Sequence, residues 1–367
     1  MPRLTVRPGL GFTHVMISVV VLNFNHGRLL PRAVAALMAQ TPCPAEVIVI
    51  NDASTDDSLA IIARLQARFP SIKLIDHKEN QGAVAGMNEG LHASRGEFVY
   101  FAAADDYVLP GFFDAATYAL TQHPEVAFFC GRVVLVDPQG KLLGFRPFML
   151  PSRRSTVVTP AAARAESVAS DNWSVGPGVI YRRSRLIEAH GFDENMAAFS
   201  DGIIVRRLAF ESGFYFDRRV VAAWERYAES LSARSALSTA ESARLIAHAV
   251  AAVKAGFPAD IRDRYACRLE RRLRFNMARL WLVFDSRKID IGGMADVLQF
   301  KGFAGAVLKI CAPLPFSRLA VLGWMTLVMR PYGIGAVLAG WYHAKKANAS
   351  EVGAVAKTIA EARGRSI

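Results

Sequence analysis

The chain has 367 residues, of which 52% are hydrophobic, with a mean hydropathy of +0.21 and a formal charge of +12. That is material for one large or two modest domains with a substantial core. Its four scattered cysteines, Cys43, Cys130, Cys267 and Cys311, exclude a disulfide framework and a cysteine-ligated metal site, which leaves a reduced, cytosolic setting as the expectation. The charge is uneven: from Asp260 to the end there are 18 Lys and Arg against 8 Asp and Glu. A basic, apolar tail on a nearly neutral domain points to an anionic surface, lipid or nucleic acid.

Residues 1–15 show no apolar secretory core and read as a flexible N-terminal extension. Residues 17–23 (ISVVVLN) and 46–51 (EVIVIN) are nearly continuous β-branched runs, the pattern of strands buried on both faces. Between them Leu29, Leu30, Ala33, Val34, Leu37 and Met38 recur at helical spacing. A helix at 58–67, a strand at 72–76, a helix at 83–93 and a strand at 97–102 follow. This βαβαβαβ order predicts an α/β fold, a mostly parallel sheet flanked by helices with right-handed crossovers. Such sheets bind ligands at the carboxyl ends of their strands, where Asn23, Asp52 and Asp105 fall. Further on, 126–136 and 142–145 flank Asp137-Pro138-Gln139-Gly140 as a hairpin. Residues 151–171 read as a mobile loop, 183–190 and 201–212 as helices, and the chain beyond about 238 as mostly helix.

The stretch FAAADDYVLP, residues 101–110, ends an apolar run in two adjacent carboxylates, Asp105 and Asp106. A helix cap would use one acid. Two acids at a strand end suit a hard divalent cation, Mg²⁺ or Mn²⁺, whose shell phosphate oxygens complete. Asp52, in VINDASTDD, precedes a polar turn and faces the crevice, where a carboxylate can accept a base N–H or ribose hydroxyls; Asn23 either does similar work or caps the following helix. NQGAVAGMNEG, residues 80–90, places Asn80 and Gly82 just ahead of a helix. Neither G-x-x-x-x-G-K-[ST] nor G-x-G-x-x-G after the first strand is present, which argues against a P-loop ATPase and an NAD enzyme.

The ordered set VVVLNFN, EVIVINDASTD and NQGAVAGMNEGLHASRGEFVYFAAADDYVLPG resembles glycosyltransferase family 2, inverting enzymes of the GT-A (Rossmann-like) fold. The resemblance covers about 17–115 and continues more loosely to about 232. It implies a nucleoside-diphosphate sugar donor, UDP being the favoured nucleotide, and Mn²⁺ or Mg²⁺. By position, Asp52 would contact the base, Asn23, Asn80 and Gly82 would line the nucleotide pocket, Asp106 would lie against the nucleotide sugar, and Asp105 would be the metal-binding acid of a D-x-D-like motif. Ala103 replaces that motif's first acid. In GFDENMAAFSDGIIVRRLAFESG, residues 191–213, Asp201 would be the catalytic base; its other reading is a helix N-cap. In WERYAESLS, residues 224–232, Glu225 and Tyr227 stand where the family often has Arg and His, and Asn51 and Met87 are smaller departures. DNWSVGPGVIYRR, residues 171–183, would form the acceptor wall, with Trp173 either stacking on a sugar or sitting in the core or rim.

The tail holds an arginine-rich run at 262–274 and two apolar runs within 303–342 punctuated by Lys309, Arg318 and Arg330, with Lys345 and Lys346 beyond. A spanning helix needs ~20 apolar residues, and Arg330-Pro331 interrupts the run. Interfacial helices are therefore expected, with Trp324, Trp341 and Tyr342 at headgroup depth and the cations on anionic lipid. The aromatics are not interleaved with the basic residues, so nucleic acid is not expected as a partner. A helical subdomain or a homo-oligomer interface is the other use of such a region. The expected organisation is 1–15 extension, 16–235 GT-A domain and 236–367 basic, apolar helical region. The expected activity is sugar transfer to a glycan or lipid-linked acceptor by a peripheral or monotopic protein at the inner face of the cytoplasmic membrane. The rival readings are a GT-A-fold scaffold without turnover and a nucleotidyltransferase, the latter lacking a basic, glycine-rich phosphate loop.

Overall fold

A computed structural model describes residues 16–171, 173, 176–226, 239–284, 291–311, 317–333, 335, 338 and 349–364. The N-terminal extension, Tyr227, Trp341, Tyr342, Lys345 and Lys346 lie outside the described residues. The chain runs β1 (Ile17–Asn23), α1 (Leu30–Met38), β2 (Glu46–Asn51), α2 (Ser58–Arg68), β3 (Ile72–Asp76), α3 (Ala83–Ala93), β4 (Phe98–Ala103), β5 (Tyr107–Val108) and α4 (Phe112–Gln122). Then come β6 (Phe128–Val136), β7 (Leu142–Arg146), β8 (Thr156–Val158), α5 (Pro160–Ala169), β9 (Val179–Arg182), α6 (Arg183–Glu188), α7 (Ser200–Ser212) and β10 (Phe214–Glu225). The sheet order is β3-β2-β1-β4-β9-β6-β10-β5, with β7 on β6 and β8 on β10. The first four strands are mutually parallel; β9 runs antiparallel between β4 and β6.

The β-branched runs are buried on both faces because helices cover both. One face holds Val19, Val21, Val34 and Phe112 with α1, α2 and α4; the other holds Val20, Ile48, Phe128 and Phe210 with α3 and α7. Gly90 lets α3 sit down on β1: a Cβ there would meet Val20 at 2.3 Å.

The expected mobile loop at 151–171 is corrected. It contains β8 and α5, the helix opening with Thr159 as N-cap, its hydroxyl accepting the Ala162 N–H at 3.3 Å, and Pro160 in the first turn. Its alanine-rich stretch carries too little apolar periodicity to read as amphipathic.

The C-terminal helices are α8 (Thr239–Gly256), α9 (Arg262–Phe284), α10 (Ile291–Leu298), α11 (Gly302–Cys311), α12 (Ser317–Met329) and α13 (Ala349–Arg363). They are not a detached tail. Ala249, Val253, Phe257, Tyr265 and Leu269 of the α8–α9 region join Phe210 and Phe214 in the second core. Ile359 and Ala362 of α13 join the first. Among the described residues no helix is long and apolar enough to cross a membrane.

Candidate active site

The parallel strands β2, β1 and β4 deliver Asn51, Asn23 and Ala103 to one end of the sheet. Asn23 Nδ2 donates to Asn51 Oδ1 at 2.9 Å, Ser58 Oγ at 2.9 Å and Ser54 Oγ at 3.2 Å, tying β1 to the turn after β2. Its own Oδ1 is a buried acceptor without a protein partner. The turn passes through Ala53 at φ +56°.

Asp52 organises the facing loop. Its Oδ1 accepts the Gln81 N–H at 2.8 Å, its Oδ2 the Gly82 N–H at 2.9 Å, and its carbonyl the Asn80 amide at 3.3 Å. Gly82 sits at φ +89°, a conformation only glycine adopts without strain. So the structure brings Asp52, Asn80 and Gly82 together, with Asn23 behind the same turn. Sequence reasoning missed His77. Its Nδ1 lies 2.8 Å from Asp52 Oδ1 and its Nε2 2.6 Å from Glu89 Oε2. Burial opposes charge on the ring, but the two carboxylates outweigh it and hold the imidazole above its ordinary range.

The adjacent acids divide their work. Asp106 Oδ1 accepts the Glu225 N–H at 3.0 Å, so this buried carboxyl braces the β4 turn against β10. The second acid thus has a role in the fold besides its expected place against the nucleotide sugar. Asp105 keeps partial exposure. Burial raises both carboxyls, and the charge of Asp105 pushes Asp106 further. Arg32 on α1 organises this corner. It donates to the Asp105 carbonyl at 2.9 Å, pairs with Glu225 at 2.8 Å and lies 4.7 Å over the Tyr107 ring. Arg363 of α13 reaches the same Glu225 oxygen at 3.1 Å. A lone arginine among the apolar residues of α1 was the sequence signal for this role.

A divalent cation beside Asp105 would relieve a carboxyl that burial and the Glu225 charge raise. Among the described residues no cluster of three or more His, Cys, Asp or Glu could hold a cation alone. Ligands from a bound diphosphate would have to complete its shell.

Asp201 opens α7, its Oδ1 accepting the Gly202 N–H at 2.6 Å. Burial raises its carboxyl, while that N–H and Arg206 pull it part of the way back. The 3-10 turn Gly176–Gly178 packs on it: a Cβ on Gly176 would lie 3.1 Å from Asp201 Oδ2. That turn enters β9, which pairs antiparallel with β4 in the register Tyr100↔Ile180, and Tyr100 donates to the Pro177 carbonyl at 3.0 Å. Asp201 therefore stands at the end of the sheet where Asp105 stands.

Of the two readings of Trp173, a sugar contact or a core position, the structure supports the core. It is 0% exposed, stacks on Phe214 at 4.6 Å and Phe128 at 6.4 Å, and donates to Ser167 Oγ. Beside it, Asp171 (φ +53°) is a buried hub. Arg206 binds its carboxylate at 2.6 Å and its carbonyl at 2.9 Å, Tyr265 donates to Oδ2 at 3.2 Å, and Arg272 lies 3.7 Å from Oδ2. Arg272 also caps the end of α5, donating to the carbonyls of Ser167 and Val168.

Comparison with known proteins agrees with this geometry. The profile described as "Glycosyl transferase family 2" matches residues 18–206. An uncharacterized glycosyltransferase of Nostoc sp. is 41% identical over 95 residues, 26% of this chain and 29% of that protein. The GalNAc(5)-diNAcBac-PP-undecaprenol beta-1,3-glucosyltransferase of Campylobacter jejuni is 35% identical over 96 residues, 26% of this chain and 31% of that protein. The matched segments thus span about a third of these relatives' length. Among solved structures, S. aureus TarS 1–349 in complex with UDP-GlcNAc superposes with a TM-score of 0.60 at 17% identity, covering 86% of this chain and 90% of that one. The mannosyltransferase PcManGT of Pyrobaculum calidifontis, in complex with GDP-Man and Mn²⁺, gives 0.50 at 17% identity, covering 90% and 87%. Sheet order, strand-end acids and the family match over half the chain lead to one conclusion: this protein has the GT-A fold and belongs to glycosyltransferase family 2.

Proposed function

We propose that the protein transfers a sugar, with inversion, from a nucleoside-diphosphate sugar to a hydroxyl of a glycan or lipid-linked acceptor at the inner face of the cytoplasmic membrane. The observation that carries this reading is the placement of Asp105 and Asp201 at the same end of the sheet, each with a carboxyl raised by burial. Asp52, Asn80 and Gly82 form the nucleotide side, and UDP is the favoured nucleotide. Asp105 would hold Mn²⁺ or Mg²⁺, which when bound neutralises charge on the leaving diphosphate. Asp201 takes the proton of the acceptor hydroxyl; its raised carboxyl brings it closer to the basicity that general-base transfer needs. The bonds of Arg32 and Asp106 to the 105–107 turn and to Glu225 hold the metal-side acid in place.

The test is thermal unfolding of the full chain with UDP, GDP, dTDP and CDP, with and without Mn²⁺. A ligand that binds the folded state alone stabilises by about 2.7 kcal/mol at a hundredfold excess over Kd. One nucleotide should raise the midpoint only when Mn²⁺ is present, and Asp105→Asn should abolish the rise. No response to any nucleotide from a cooperatively melting chain would favour the scaffold reading, for which Ala103 in place of the D-x-D acid is the motive.

A further inference from the structure

The helices α11 and α12 bury one stripe and expose another. Gly305 and Leu308 of α11, and Val321, Met325 and Met329 of α12, face inward. Leu308 and the three α12 side chains pack with Phe275, Ala278 and Leu282 of α9. On the opposite side Phe303 is 78% exposed and Ile310 64% exposed, seven residues apart on α11. On α12, Leu319 is 69% and Leu327 61% exposed, eight residues apart, with Val328 beside them. Both spacings return to one helix face. Phe303 meets Trp324 edge-on at 6.0 Å, and Trp324 donates its indole N–H to the Ala304 carbonyl, so the two stripes adjoin. That bond takes the Trp324 N–H into the helix contact rather than to a headgroup. Lys309 is exposed on α11, Lys301 immediately before it and Arg330 immediately after α12. No Asp or Glu occurs anywhere from residue 297 to 350, against six Lys and Arg.

We infer that this outward α11–α12 face docks on an anionic lipid bilayer. Large apolar side chains at helical spacing, flanked by cations and free of acids, match an interface of acyl chains beneath anionic headgroups. A second copy of the chain fits poorly. An isologous contact on this face would set Lys301, Lys309 and Arg330 near their own copies with no acid within the segment to offset them. The surface is coupled to the acceptor side of the site. Arg271 and Arg272 of α9 bind the Met329 and Pro331 carbonyls at the end of α12, at 3.5 and 2.8 Å. Arg272 then continues to the end of α5 and to Asp171, where the segment leading to Gly176 and Asp201 begins. Docking therefore fixes the bilayer relative to Asp201. This last step rests on the proposed transfer reaction; the docking itself does not.

The experiment is flotation of the full chain with vesicles of phosphatidylcholine alone or with about 30% phosphatidylglycerol. The chain should float with the anionic vesicles and lose binding as salt rises. Replacing Lys301, Lys309 and Arg330 together with Gln should cut the preference for anionic vesicles on the order of a hundredfold. Phe303→Ser with Leu327→Ser should weaken partitioning by a similar factor. Both variants alter exposed side chains and should melt at the wild-type temperature. Equal partitioning to neutral and anionic vesicles would overturn the inference. So would unchanged flotation of the Ser variant, or an oligomer that this variant converts to monomer without affecting flotation. Flotation needs no nucleotide: a chain that floats but never responds to nucleotide defeats the transfer reading alone, and the reverse result defeats docking alone.

Discussion

Asp171→Asn tests whether the helical region and the sheet form one unit. The wild-type carboxylate stands between two guanidinium groups, the partly buried Arg206 at 2.6 Å and the buried Arg272 at 3.7 Å, and accepts the Tyr265 hydroxyl. Burial raises the nearby Glu166 carboxyl, and the Asp171 charge pushes it the same way. The amide keeps the shape and one acceptor oxygen but removes the buried anion that both arginines share. Breaking a buried pair in this way costs about 3–5 kcal/mol. With an unfolding entropy near 2.1 cal/mol/K per residue, a chain of this length should melt about 4–7 °C lower if it unfolds as one unit. The assay is calorimetry on wild type and variant, with acceptor and donor KM measured alongside. Arg206, which holds Asp171, also donates to the Gly202 carbonyl beside Asp201, so acceptor KM should rise while Mn²⁺-dependent nucleotide stabilisation stays. A variant melting within about 1 °C of wild type would refute the shared-anion argument. Two separated transitions in the wild type would refute the single unit.

Asp201→Asn should lower kcat by about 10²–10⁴ with little change in donor KM, and the acid limb of the wild-type pH–rate profile should lie above the ordinary carboxylate range, because the base must be ionised. Asp106→Asn should be tolerated, since the amide oxygen still accepts the Glu225 N–H, whereas Asp106→Ala strands that donor at a cost of about 1–3 kcal/mol in chemical denaturation. A carboxyl raised on folding contributes stability below its unfolded value that is lost as pH rises through the folded one. Any stability gain of Asp106→Asn over wild type should therefore vanish in acid. His77 follows the same sign. Its raised value gives stability that is complete below its unfolded value of 6.5 and lost as pH rises through the folded one. Melting curves from about pH 6 upward should show this slope in wild type and not in His77→Gln, and a parallel slope in both would sink the assignment.

The sheet was legible because continuous β-branched runs alternating with helical spacing admit few arrangements, and the strand-end positions of Asn23, Asp52 and Asp105 followed from that order. The DPQG hairpin was equally plain, appearing as β6 and β7. Side-chain direction was not. Whether an acid at a strand end points to a crevice or to a neighbouring strand depends on partners far away in sequence: Asp106 is claimed by Glu225, 119 residues on. Trp173 shows the same limit, since its apolar ring suits a sugar or a core equally well, and Phe128 and Phe214 decided it.

Sequence by itself determined the α/β class, the chain order of the motifs, the basic character of the tail and its acid-free stretch from 297 to 350, because periodicity and charge are local properties of the chain. Only the tertiary structure decided that Arg32, Arg272 and Arg363 serve the interior rather than solvent. Only it decided that α8 and α9 complete the second core, and which stripe of α11 and α12 remains outside. Those outcomes depend on long-range packing, where a buried charge is tolerated only if a partner from another element meets it.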